Sequence, residues 1–198
     1  NWSPVGVPGS EDKVIIANGD TVDSGASRTV RGLDLAGGAL NIGGTLTTTH
    51  GSAWTDGTFI GRWENQGTLT LSGPARKLLW DDAVIDNFGT MEWSGPGVIQ
   101  SRSYTSGPSF VNNKPGAVFR IGAGGGGVFS REYGGPRASF RNEAGARLEF
   151  DGAGGGVATL SVWEFVNHGE LRVNNGTLAF VDGAQDGYDL YLHPGTTL

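Results

Sequence analysis

Asp81 and Asp82 directly follow Trp80, close to the basic pair Arg76-Lys77. Adjacent carboxylates near a basic group are the parts needed for metal-assisted or acid–base cleavage of an acidic polysaccharide. The same residues also read as a polar turn between Leu78-Leu79 and Ile85, and no partner constellation singles out catalysis. The three histidines, His50, His168 and His193, show no His-x-His or His-x-x-x-His spacing. Cysteine is absent. Zinc is therefore not expected, and neither a metal nor any other cofactor is assigned. No Gly-x-Ser-x-Gly elbow accompanies a serine nucleophile. Asp-Gly pairs starting at 56, 151, 182 and 186 read as turns and match no calcium loop.

The glycine clusters 122–127 and 152–156 precede no helix and no Gly-Lys-Ser/Thr, so they are not phosphate cradles. They read as one turn repeated in successive structural units. Ser101-Arg102-Ser103-Tyr104 is echoed by Ser130-Arg131-Glu132-Tyr133, and each is followed by Gly-Pro and Ser-Phe. An offset of 29 residues places Arg102 over Arg131 and Tyr104 over Tyr133. Stacked tyrosine faces and guanidinium forks suit a glycan or a protein surface, or simply cover a loop base. These four residues form the candidate ligand-binding set. Asn175-Gly176-Thr177 fits a glycosylation sequon and an ordinary repeat turn equally.

The elements that position these groups follow from periodicity. Apolar residues recur at spacing two, and glycine interrupts any window long enough for a helix. Glycine makes up 36 of 198 residues, about 18 % against roughly 7 % in ordinary proteins, without a three-residue period. Tight turns explain that excess better than collagen or disorder, since aromatics reach 10 %.

A unit of apolar residue, any residue, Asn, Gly and alternating strand recurs. It appears as Trp63-Glu64-Asn65-Gln66-Gly67-Thr68-Leu69, Ile85-Asp86-Asn87-Phe88-Gly89 and Phe165-Val166-Asn167-His168-Gly169. Phe140-Arg141-Asn142 and Phe110-Val111-Asn112 are longer-turn versions. The asparagines Asn65, Asn87, Asn112, Asn142 and Asn167 are spaced 22, 25, 30 and 25 apart, the length of one solenoid coil. This predicts an all-β fold, a parallel β-helix of roughly seven to nine coils of about 20–30 residues. Residues 1–198 form a single domain, with 1–13 as an N-terminal cap or linking segment. Inside each coil corner an asparagine ladder is expected, each amide bonding turn backbone and the next amide. Strand charges such as Arg147, Glu149, Glu170 and Arg172 are expected to face outward.

The opening Asn1-Trp2-Ser3-Pro4, with Pro8, Asp12 and Val14-Ile15-Ile16, resembles the start of β-solenoid modules in large exported bacterial proteins, and the Asn-x-Gly-Thr-Leu-x-Leu units resemble repeats of filamentous-haemagglutinin and autotransporter-passenger proteins. The resemblance implies a right-handed β-helix, a bacterial source and an extracellular or cell-surface location. It implies no catalytic residues. A net charge of −6 with no basic run argues against nucleic acid, and no stretch is long enough to span a bilayer. The expected function is a non-enzymatic structural or adhesive surface module. Self-association end to end and carbohydrate or a host surface are its candidate partners, because solenoid ends leave backbone groups unpaired. A carbohydrate-binding or polysaccharide-lyase β-helix is the alternative.

Overall fold

The computed structural model describes residues 6–102, 109–122, 124, 128–131, 138–153, 155–162, 164–180 and 189–192. Every strand in it pairs parallel with the strand one coil away, giving an all-β solenoid of about seven turns. None of the described residues forms a helix long and apolar enough to cross a membrane.

Each coil contributes three short stretches, and like stretches stack into three faces. On the first face, β1 (Lys13–Ala17) starts a column of inward residues in unbroken register: Ile16, Leu35, Trp54, Leu71, Trp93, Ile121 and Phe150, followed in register by Val173, which is exposed. The second face opens with β2 (Thr21–Ser24) and stacks Val22, Leu40, Phe59, Leu79 and Ser101. The third opens with β3 (Arg28–Val30), whose inward column runs Arg28, Leu46, Trp63, Ile85, Val111, Phe140 and Phe165. Because strand side chains alternate, every second residue of each stretch enters one narrow apolar lumen. Trp54, Trp63, Trp93, Phe59 and Phe119 are completely buried there. Ring centroids of Phe140 and Phe165 lie 5.7 Å apart, nearly parallel, so adjacent coils stack aromatic on aromatic.

The corner between the third and first faces is the tight one. Gly67 and Gly89 occupy it in neighbouring coils, and a Cβ on Gly89 would meet Gly67 O at 2.1 Å. Only a hydrogen atom fits between the two backbones, which explains the glycine of the repeat. Behind that corner runs the asparagine ladder. Asn65 Nδ2 donates to Asn87 Oδ1 (2.8 Å), Asn87 to Asn113 (2.8 Å), Asn113 to Asn142 (2.9 Å) and Asn142 to Asn167 (2.7 Å). The same amides donate to Thr90 O, Val118 O, Arg147 O and Glu170 O, holding the first residues of the next coil's first-face strand. All five side chains are fully buried, and the ladder satisfies amide groups that would otherwise destabilise the corner, Asn65 Oδ1 at its first rung being the one ladder oxygen left without a donor among the described residues.

The structure corrects one rung. Asn113, not Asn112, is in register with Asn87 and Asn142. Val111 is the buried residue two before the ladder position, and Phe110 lies outside under Arg141, whose Cζ is 4.9 Å from the ring centroid. Asn112 faces outward and donates to Asp86 Oδ1 at 2.9 Å.

Candidate functional site

The other two corners absorb the variation in coil length. At the corner between the second and third faces, a single residue, Gly61, makes the crossing in one coil. The next coil crosses with Asp81, Asp82 and Ala83, and in the coil after that the chain leaves from Arg102 and returns at Phe110. A corner whose length varies from coil to coil on a rigid rod is where binding groups tend to be displayed.

Trp80 sits at the end of its second-face stretch, in register with Arg102 one coil on. The guanidinium Cζ of Arg102 lies 4.5 Å from the centre of the Trp80 ring, a cation–π stack on the outer surface. Both side chains are half-buried. Asp81 and Asp82 follow with φ of 47° and 58°, two consecutive left-handed residues that are not glycine. Aspartate tolerates this conformation better than most residues, and the strain is confined to the point where the chain turns away from Trp80. Asp81 Oδ1 is buried without a hydrogen-bond partner among the described residues.

Lys77 of the basic pair turns away from these carboxylates. Lys77 points into the lumen, is fully buried, and runs to the opposite corner, where Nζ donates to Ala75 O (3.0 Å) and Thr55 O (3.3 Å). Burial lowers its pKa, with Asp56 acting in the other direction. Arg76 lies outside, with Nη1 3.4 Å from Gln100 Oε1. Among the described residues no group of three or more His, Asp or Glu side chains is arranged to hold a metal ion. His50 and His168 are exposed, and His193 lies outside the described residues.

Of the four residues in the candidate binding set, Arg102 is placed as described, and Tyr104 and Tyr133 lie outside the described residues. The expected Arg102–Arg131 superposition is corrected. Arg131 is in register with Ser101, because Phe129 pairs with Ile99 at an offset of 30 residues, not 29. The glycine clusters fall between first-face strands ending at Ile121 and Asp151 and second-face strands Val128–Arg131 and Val157–Leu160, and residues 123, 125–127 and 154 of them lie outside the described residues.

The outer charges elsewhere are used on one another. On the first face Arg120 bridges Glu92 (2.9 Å) and Glu149 (3.0 Å), and Arg147 bridges Glu149 (3.1 Å) and Glu170 (2.8 Å). On the third face Asp86, fully buried, is held by Arg62, Lys114 and Asn112, and Lys114 continues to Glu143 at 2.6 Å. These ladders cross coils as the asparagines do. What sequence reasoning missed is Trp80 as the partner of Arg102; the two stand in unlike sequence units, and only the strand register pairs them.

No family model, curated protein or solved structure matches the chain.

Proposed function

We propose that the chain is a non-enzymatic, structural or adhesive β-solenoid module of an extracellular bacterial surface protein. The observation that supports this most is how its variation is distributed. Register, ladder and aromatic column persist from coil to coil, while length changes gather at two corners. Such a rod holds its shape and displays what its corners carry. Paired outer charges on two faces favour a scaffold over a reactive surface. End-to-end association into a fibre belongs to this reading, as stacking of like on like is already the rule inside the rod. Sedimentation and electron microscopy over a concentration series test it. Rods longer than one chain support assembly, and a strictly monomeric protein at high concentration overturns it.

A second reading, carbohydrate binding, is favoured by the Trp80–Arg102 stack. An aromatic face with a flanking guanidinium suits a sugar ring and its hydroxyl or carboxylate groups. A glycan array comparing the native protein with Trp80→Ala and with Tyr104→Ala/Tyr133→Ala tests it. Loss of a specific signal in either variant supports the reading, and identical arrays from all three proteins remove this corner from consideration.

A further inference from the structure

The inward column of the third face is apolar in every coil from Leu46 to Phe165, but in the first coil that position is Arg28. An arginine in a core column places five N–H donors at the end of the lumen. Its Nη1 donates to Ser27 O at 3.1 Å, a neighbouring carbonyl, and no carboxylate pairs with it among the described residues.

Arg28 lines a cavity of about 240 Å³ between the first and second coils. The walls are aliphatic, with Val14, Val30, Leu33, Leu40 and Leu46 all buried. The rings that fill the lumen begin only in the third coil, with Trp54, Phe59 and Trp63, so valines leave the first coil underfilled. A cavity of roughly 150 Å³ with such walls already takes up benzene, so this one has room for a larger apolar group. Arg28, Ser24 and Asp23 form its polar rim, and Asp23 Oδ1 accepts a bond from Asn41 Nδ2 at 3.0 Å.

We propose that this end of the rod binds a linear aliphatic carboxylate, with the chain in the lumen and the head group on Arg28. The guanidinium fork matches a carboxylate in two parallel bonds, and the aliphatic walls match a methylene chain. The Asp23 carboxylate disfavours an anion, so the head group must lie on the Arg28 side of the rim. This site is separate from the Trp80 corner and stands or falls independently of the proposed function.

Titration of the purified protein with hexanoate, octanoate and decanoate, and with octanol, followed by calorimetry, tests it. Affinity should rise about fourfold per added methylene until the cavity is full. Octanoate should bind at least tenfold more tightly than octanol. Arg28→Gln should remove that preference while keeping octanol binding. Val22→Phe, which fills the cavity, should abolish both, with retained circular dichroism showing that the rod is intact. If Val22→Phe unfolds, octanoate should still raise the thermal midpoint of the native protein more than octanol does, whereas the two should raise that of Arg28→Gln equally. Absence of saturable octanoate binding to the native protein overturns the site. Equal affinity for octanoate and octanol overturns the role of Arg28.

Discussion

Asn87 and Asn113 stand 26 residues apart in the chain, yet the amide of one donates to the amide oxygen of the other at 2.8 Å inside the rod. Asn113 passes the pattern on to Asn142 and also donates to Arg147 O. Asn87, Asn113 and Asn142 thus each accept one bond from the preceding coil and donate into the next. A buried rung cannot be lost without leaving both neighbours short of a partner.

Asn113→Ala should therefore destabilise the protein by about 3 kcal/mol, since an unsatisfied buried polar group costs about 1–3 kcal/mol and more than one is created. Asn112→Ala should cost about 1 kcal/mol, because that side chain is half-buried and loses one bond to Asp86. Urea unfolding of the two variants side by side checks this. Equal losses would mean that the ladder is not the interaction that fixes the corner.

Gly89→Ala should be worse than Gly116→Ala. A Cβ at Gly89 collides with the backbone oxygen of Gly67, which cannot move without separating two coils. Gly116 has φ of +84° but open space around its Cβ position, so alanine there meets only the left-handed strain of about 1 kcal/mol. Thermal midpoints should fall in that order.

Much of this architecture was legible from alternation and from the repeated Asn and Gly, because a stack of identical corners imposes identical residues on the chain. The misplaced ladder rung has a local origin. In Phe110-Val111-Asn112-Asn113 two asparagines fit the pattern, and taking the aromatic as the inward residue by analogy with Trp63 and Phe140 shifted the phase by one. Val111 was the informative residue, since it alternates with the buried position of Asn113. Lys77 and Arg28 were hidden for a different reason. A charged residue in a strand normally reads as solvated, although Lys77 is in phase with Leu79, and Arg28 with Val30. The Arg102–Trp80 contact joins residues from unlike sequence units, and only the three-dimensional register brings them together.

Acid should weaken the outer charge ladder at Glu170. Hydrogen bonds from Arg172 and then Arg147 hold its pKa below the ordinary value of 4.5. Its contribution is therefore complete above the unfolded pKa of 4.5 and is lost as pH falls through the lower folded value. Glu170→Gln should be less stable than the native protein at neutral pH, and the difference should shrink as pH drops below 4.5. Thermal melts from neutral to strongly acidic pH check it. A difference independent of pH would show that the carboxylate charge contributes nothing.

Alkali should act in the opposite sense through Lys77. Burial lowers the pKa of its ammonium below the ordinary 10.5, so the folded rod releases that proton before the unfolded chain does. Between the two pKa values the unfolded state binds more protons, and stability rises with pH across that window. Replacing the residue with methionine keeps an unbranched side chain in the lumen and removes the titration. It also leaves Ala75 O and Thr55 O without their ammonium donor, which offsets part of the gain from removing a buried charge. Lys77→Met should therefore change stability little at neutral pH and should lack the alkaline rise of the native protein. Urea unfolding at intervals from neutral pH to 10.5 distinguishes the two profiles. Parallel profiles would mean that the ammonium is solvated in the folded rod, contrary to its burial beneath the corner.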